Sequence, residues 1–190
     1  MKLYHFKRQH FQGKILYPLN QLQSEFPDSH AEEIKKYEGR ELLLQATIPH
    51  FNCLWNDVLH FCPIPMSEVM QAVFAAHEEL GLDVTEYKKL FIDREYFVFS
   101  ADNLDEENLL VFLNNREKRQ RTNFLDVLDL FHRYQNGSQF IQYDIPLLHR
   151  HYLKTTLQQG ERPLLFMHLP HVLYKGPVDV SLAKVEKLRV

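Results

Sequence analysis

The spacing of hydrophobic positions along the chain predicts a mixture of helices and strands. In "MSEVMQAVFAAHEELG" the apolar residues recur at separations of three and four from Met66 to Leu80, and Gly81 follows, which predicts a helix. A serine and a glutamate at capping-box spacing predict another helix over residues 29–39. Helical spacing also occurs in three further segments, which are residues 105–115, 122–137 and 146–160. About five helices are therefore expected.

Short apolar or alternating runs, bounded by proline and glycine, predict the strands. The first of them, "KLYHF", would place Leu3 and His5 on one face and Tyr4 and Phe6 on the other. Further strands are predicted at "REYFVFS", "QFIQY", "RPLLFMH", "HVLY" and "VEKLRV". Because this element order lacks regular βαβ alternation, the expected fold class is α+β. We expect a single domain over residues 1–190, with a mixed or split antiparallel sheet.

Composition and charge narrow the classes of protein that this chain can belong to. Of its 190 residues 45% are hydrophobic and 25% are charged, which is typical of a folded domain rather than a disordered chain. The net charge of -3 argues against a generic basic surface for nucleic acid. No apolar run has the length of a signal peptide or a membrane span, so a cytoplasmic protein without a membrane segment is expected. Export by a signal-less route stays open.

The stretch "NCLWNDVLHFCPIP", residues 52–65, carries the densest set of reactive side chains. Cys53 and Cys62 are nine positions apart without a second closely spaced pair, so no metal is expected there. If the segment is extended, His60 and Cys62 share a face, and with Asp57 they would form a Cys/His-based hydrolase centre. The alternative is a buried segment that lines a cleft, with four candidate residues, Trp55, Asn56, Asp57 and His60.

Two other groups of polar residues are weaker candidates for a site. His149 and His151 are two apart in a predicted helix and point about 200° apart, whereas His168 and His171 flank a proline and could converge. The basic run "NNREKRQR", residues 114–121, would bind phosphate or serve as a solvated connection between helices. Glycine-rich phosphate-binding motifs are absent from the sequence, which argues against a nucleotide-binding doubly wound fold.

The two ends of the chain resemble the ADP-ribosyltransferase superfamily. "LYHF", residues 3–6, is similar to the opening strand of many members, and "HVLYKGPVDVSLAKVEKLRV", residues 171–190, looks like their closing segment. The central "DVLHFCPIPMSEVMQAV" is similar to a strand, proline and helix segment of members that act on DNA. For the fold, the resemblance implies an α+β split sheet.

The resemblance also implies roles for individual residues. His5 would bind the ribose or the nicotinamide amide of NAD, and Tyr4 or Tyr96 would stack on the nicotinamide. His171 stands where the family has its catalytic Glu, and Lys7 stands where a Ser or Thr is common. A histidine at position 171 could act as a base, but it cannot supply the negative charge of a carboxylate.

Three functions follow as hypotheses. The first is a divergent ADP-ribosyltransferase-like protein that transfers ADP-ribose from NAD to an unknown acceptor, a protein or a nucleic acid. A relative that moves phosphate on the same scaffold is a variant of this hypothesis. The second is a non-catalytic interaction protein on that scaffold, and the third is the Cys/His-based hydrolase around His60 and Cys62.

Overall fold

The structure is a computed structural model, and it describes residues 1–112, 131–133 and 144–188. Within these ranges helices and antiparallel strands follow one another without βαβ alternation, so the α+β prediction is confirmed. The α-helices of the described ranges are α1 (Leu19–Glu25), α2 (Pro27–Ile34), α3 (Met66–Glu79), α4 (Thr85–Lys89) and α5 (Leu147–Gln158). None of these helices combines the length and the apolar character needed to cross a bilayer.

The strands form two larger sheets and two short ribbons. The strands are β1 (Lys2–Phe6), β2 (Ile15–Leu16), β3 (Thr47–Ile48), β4 (Cys53–Leu54), β5 (Val58–Phe61), β6 (Glu95–Ser100), β7 (Leu109–Phe112), β8 (Phe131–Arg133), β9 (His171–Lys175), β10 (Val178–Asp179) and β11 (Ala183–Lys187). A three-stranded sheet has the order β1-β6-β11, and a four-stranded sheet has the order β5-β9-β7-β8. The ribbons pair β2 with β10 and β3 with β4.

The two larger sheets are joined edge to edge at one point. Tyr4 in β1 and Cys62 just after β5 form an antiparallel bridge, with N–H···O distances of 2.8 and 2.9 Å in the two directions. We call this bridge the seam. The strand order therefore runs from β8 through β5 to β1 and on to β11, and every strand pair in the described part of the chain is antiparallel. This arrangement is the split form of the predicted sheet.

Side chains cover both faces of each sheet in layers. The inner faces pack on each other through a cluster that includes Leu3, Phe97 and Phe61. Helices α3 and α5 cover the outer face of the three-stranded sheet, where Tyr4 and Tyr96 join the helix core. On the outer face of the four-stranded sheet lies a third cluster, which contains Ile48, Trp55, Val58, Leu110, Phe112 and Leu173.

The prediction of a helix over residues 105–115 is wrong over residues 105–112, and residues 113–115 lie outside the described ranges. Glu106–Asn108 form a single 3-10 turn, and the next residues form strand β7, whose four side chains are all buried. A strand that is covered on both faces needs apolar residues at every position, so it lacks the alternation that marks a half-buried strand. The run "LLVF" therefore has the composition of a buried helix as well as that of a central strand.

Several other predictions can be compared with the structure. The helix over residues 66–81 is confirmed as α3, and the helix after Pro146 is confirmed as α5. The predicted strand "RPLLFMH" is wrong, because residues 161–170 form turns and irregular backbone. The helix over 122–137 is wrong at Phe131–Arg133, which is strand β8, and its other residues lie outside the described ranges. The "QFIQY" strand and the 114–121 basic run also lie outside them.

Candidate functional site

Three strands that are far apart in sequence bring three histidines together beside the seam. His5 comes from β1, His60 from β5 and His171 from the first position of β9. Strand β5 pairs with β9 on one side and meets β1 at the seam on the other, so the three residues belong to three neighbouring strands. We call His5, His60 and His171 the histidine cluster. All three are partly accessible to solvent, which a site for a ligand requires.

The ring of His5 is fixed by the backbone of the neighbouring strand. Its Nδ1 lies 2.9 Å from the carbonyl oxygen of His60, and because a carbonyl only accepts, Nδ1 carries the proton. The ring centroid lies 5.6 Å from that of Phe61, in an edge-on contact. Burial lowers the pKa of His5 to about 3, so the ring is neutral near pH 7 and Nε2 offers a lone pair.

His60 is held in the same way from the opposite side of β5. Its Nε2 donates to the carbonyl oxygen of Trp55 at 2.9 Å, and its ring lies over Trp55 with a centroid separation of 4.4 Å. Burial lowers its pKa to about 4, so His60 is also neutral near pH 7. In this tautomer Nδ1 of His60 is the nitrogen that carries a lone pair.

His171 lies among aromatic rings on the outer face of the four-stranded sheet. Its ring centroid is 6.2 Å from that of His60 and 6.5 Å from that of Trp55. Phe112, its cross-strand neighbour in β7, lies at 6.1 Å, and Phe166 lies at 6.5 Å. Nothing in the sequence indicates that Phe112 and Phe166 would be neighbours of His171. The sequence pattern predicts a helix for the segment of Phe112 and a strand for that of Phe166, and neither is correct.

His5 and His171 do not share one face of a sheet. His5 lies on the inner face with Leu3, whereas the rings of His60 and His171 lie on the outer face of the four-stranded sheet. The two outer histidines are connected to His5 through the backbone of His60, whose carbonyl accepts from His5. A ligand that touched both His5 and His171 would therefore lie across the seam edge of β5 rather than inside one face.

The turn before β5 contains two polar residues with different environments. Both carboxylate oxygens of Asp57 are occupied, by the side-chain amide of Asn20 and the backbone N–H of Leu54, each at 2.7 Å. Asn56 is 1% exposed, and neither of its amide atoms has a hydrogen-bond partner within the described ranges. A buried amide with unused donors and an unused acceptor is unusual, and an ordered water would satisfy it.

Cys62 does not join His60 on one face, contrary to the prediction. The strand ends at Phe61, and the Cys62 thiol packs with Tyr4 in the core under α3, whereas His60 faces Trp55. Burial raises the pKa of the Cys62 thiol to about 12, which disfavours a thiolate nucleophile. Burial and the nearby carboxylate of Asp57 also raise the pKa of Cys53.

The two tyrosines expected to stack on nicotinamide lie on the face of the three-stranded sheet that is opposite to His5. Tyr4 and Tyr96 are nearly buried, with ring centroids 6.1 Å apart, and pack towards α3. Tyr96 also lines an open depression of about 700 Å³ beside β11, and its hydroxyl donates to Glu186 at 2.9 Å. Neither His5 nor His171 lines that depression.

Positive charges lie near His5. The side chains of Arg8 and Lys36 both act on its ring, and each lowers its pKa further. Arg8 is largely buried, donates to the Tyr17 carbonyl oxygen at 2.8 Å and lies 3.9 Å from a carboxylate oxygen of Glu33. Burial also lowers the pKa of Arg8, although a guanidinium stays charged at any physiological pH.

The other predicted histidine group has structural contacts. His149 is fully buried in α5, and its Nδ1 donates to the Met167 carbonyl oxygen at 2.6 Å. His168 is buried and contacts Tyr152 edge-on at 5.5 Å. In the described part of the chain no three His, Cys, Asp or Glu side chains are placed to hold a metal ion.

Comparison with protein-family models, with curated proteins and with solved structures finds no match to this chain.

Proposed function

We propose that this chain is a divergent ADP-ribosyltransferase-like protein that binds NAD across the seam. The observation that carries the proposal is that His5, His60 and His171 come from three neighbouring strands beside the seam, with His5 bonded to the His60 carbonyl and the rings of His60 and His171 6.2 Å apart. The split antiparallel sheet agrees with the fold that the resemblance implies. The resemblance itself selected His5 and His171, which lie 166 positions apart in the sequence (171 minus 5).

The proton state of His5 suits the recognition of a sugar hydroxyl. With Nδ1 bonded to the His60 carbonyl, the neutral ring presents Nε2 as an acceptor for a ribose O–H of NAD. Arg8 and Lys36 are the cations near His5 that a pyrophosphate would contact, and each would have to exchange its present ion pair with Glu33 for the phosphate.

His171 would stand in the position of the catalytic carboxylate. In the transfer, the bond between the ribose carbon and the nicotinamide nitrogen breaks, nicotinamide leaves with the electron pair, and an acceptor atom bonds to the carbon. A neutral His171 would take the proton of the acceptor. It cannot stabilise the positive charge on the ribose as a carboxylate does, so we expect NAD binding with slow transfer.

The test is thermal unfolding in the presence of NAD, with ADP-ribose and nicotinamide alone for comparison. NAD at about ten times its Kd should add about 1.4 kcal/mol to the free energy of unfolding, which raises Tm by roughly 3–6 °C. The variant His5→Ala should lose most of this increase. His151→Ala, which changes an exposed histidine on α5, is the matched control and should keep it.

A Tm that does not change at millimolar NAD would contradict the proposal. So would an increase that His5→Ala and His151→Ala retain equally, because the ligand would then bind elsewhere. If NAD binds, release of nicotinamide can be followed by chromatography, and His171→Ala should lower its rate without removing the increase in Tm.

The second candidate is a non-catalytic interaction protein, and it is favoured by the exposed edge of the three-stranded sheet. Val185 in β11 and Ile92 beside it are 51% and 62% exposed. The hydrolase hypothesis has the least support, because Cys62 is buried and faces away from His60. Alkylation of Cys62 in the folded protein as fast as in urea would revive it.

A further inference from the structure

The free edge of the three-stranded sheet is complementary to itself. Strand β11 pairs with β6, and no other described residue pairs with its second edge. Its sequence, "AKVEK", places Lys184 and Glu186 on either side of Val185. If a second copy runs antiparallel and is centred on Val185, each Lys184 stands opposite a Glu186 and the two Val185 side chains meet.

The backbone hydrogen bonds are in the phase that such pairing needs. The N–H of Leu188 donates to the carbonyl oxygen of Arg94 at 2.9 Å, and bonded pairs in an antiparallel ladder recur at every second residue. The even-numbered residues Lys184 and Glu186 therefore bond to β6. The odd-numbered Val185 points its N–H and C=O away from β6, towards the open edge, as does Lys187. At Ala183 only the C=O is left for a partner strand, because its N–H donates to the carbonyl oxygen of Val180.

Charge selects this register over its neighbours. A shift of pairing that centres the contact on residue 184 places Lys184 against Lys184, and a shift that centres it on residue 186 places Glu186 against Glu186. Like charges directly opposite one another destabilise a strand pair, whereas opposite charges stabilise it. Glu186 is already held in place, because its carboxylate accepts from the Tyr96 hydroxyl at 2.9 Å.

Two apolar side chains at the free edge of β11 are exposed to solvent, and pairing with a second strand would cover part of their surface. Val185 is 51% exposed on the inner face of the sheet, and Leu182, just before β11, is 44% exposed. Lysines on an edge strand often keep other strands away, so a solvated monomer is the alternative. Here the lysine would meet a glutamate in the one register whose hydrogen bonds are centred on Val185.

We propose that two copies of this chain associate through β11 into a two-fold symmetric dimer with one continuous six-stranded sheet. The partner is a second copy, because a two-fold contact requires a surface that is complementary to itself. Strand addition supplies the main-chain hydrogen bonds, and the Lys184–Glu186 pairs fix the register. This inference is independent of NAD binding, since neither His5 nor His171 lies in β11.

The experiment is sedimentation or light scattering over a range of concentrations, with charge-swapped variants. At about 100 µM the mass should rise from 22.7 kDa towards twice that value, and high salt should weaken the rise. Lys184→Glu should raise the dimer Kd at least about tenfold, and the double variant Lys184→Glu, Glu186→Lys should restore it to within about threefold of the original. Lys35→Glu, an equal charge change at an exposed site in a 3-10 turn, should have no effect.

A second pair of variants tests the backbone directly. Val185→Pro removes the outward N–H while sparing the bonds to β6, so it should abolish the dimer without unfolding the chain. Val185→Thr keeps the N–H and the β-branched shape and should retain the dimer. A monomer at every concentration would overturn the proposal, and so would a dimer that neither Lys184→Glu nor Val185→Pro weakens.

Discussion

The two larger sheets use the same antiparallel ladder in opposite surroundings. Strand β9 lies between β5 and β7, and Val172 and Leu173 at its centre are fully buried. Strand β11 lies at an edge, where Lys184, Val185 and Glu186 are exposed. Next to β9, a hydrogen bond to the Trp55 carbonyl fixes one tautomer of His60, whereas exposure leaves the charges of β11 available for an intermolecular contact. Position within the sheet, rather than strand sequence alone, decides which role a strand can have.

The largest expected effect is the response to acid of two histidines beside the seam, which have no counterpart in β11. His5 and His60 have pKa values of about 3 and about 4 in the folded chain, against the ordinary value of 6.5. Between these values the unfolded chain binds more protons than the folded one, so stability rises with pH. The full contribution is present above about pH 6.5 and is lost as the pH falls towards 4 for His60 and towards 3 for His5.

In that window each histidine should lower the free energy of unfolding by at most about 1.4 kcal/mol for each pH unit of acidification. Urea unfolding between pH 7 and pH 4.5 will measure this slope. Burial lowers the pKa of His149 in the same direction. His60→Gln, which keeps a donor for the Trp55 carbonyl, should reduce the slope by about one proton. An unchanged slope would show that His60 is not neutral in the folded chain at these pH values.

Replacing one valine by alanine in each of the two sheets should give the next largest change in the free energy of unfolding. Val172→Ala in β9 removes two methyl groups from a site that is 0% exposed, and it should lower the free energy of unfolding by about 2 kcal/mol. Val185→Ala in β11 changes a side chain that is 51% exposed and should cost less than about 0.5 kcal/mol in the monomer. Urea unfolding at low protein concentration measures both. Equal losses would mean that the edge of β11 is covered.

The smallest effect concerns the hydroxyl beside the exposed edge. Tyr96→Phe removes the hydrogen bond to Glu186 and should cost about 1 kcal/mol or less, because the carboxylate regains water. Burial and the bond to Glu186 raise the pKa of Tyr96 to about 12, so Tyr96 should resist ionisation when most tyrosines titrate near 10. Burial also raises the pKa of Tyr4, Tyr37, Tyr87 and Tyr174, so an absorbance titration should show a smaller late component in the Phe variant. A late component of unchanged size would contradict its assignment to Tyr96.

How far the fold could be predicted depended on whether one face of an element reaches solvent. Helix α3 keeps an apolar stripe against the core and a polar stripe outside, so its spacing was sufficient. Strand β7 has no exposed face, and its sequence could not distinguish a strand from a helix. The apolar run 163–167 has turns and irregular backbone, and Leu165 and Phe166 within it pack against the core.

Individual residues of the candidate site could be predicted from the sequence, but the way in which the fold places them relative to one another could not. The resemblance selected His5 and His171, and the density of polar residues selected Trp55, Asn56 and His60. The adjacency of β1, β5 and β9 depends on long-range pairing, which no local pattern encodes. The position of Tyr96 on the opposite face from His5 follows from the register of β6 against β1, which is likewise a property of the assembled sheet.

The strand pairing also has a consequence for the order in which the chain can fold. Strand β1 pairs with β6 at residues 95–100, and β6 pairs on its other side with β11 at residues 183–187. Strand β5 pairs with β9 at residues 171–175. The paired strands are far apart in sequence. The entropy lost in closing long loops must therefore be spent before most of the stabilising contacts of the sheets can form. We therefore expect slow folding for a chain of this size. On the ribosome, α3 would emerge well before β9 and β11, the strands that complete the two sheets.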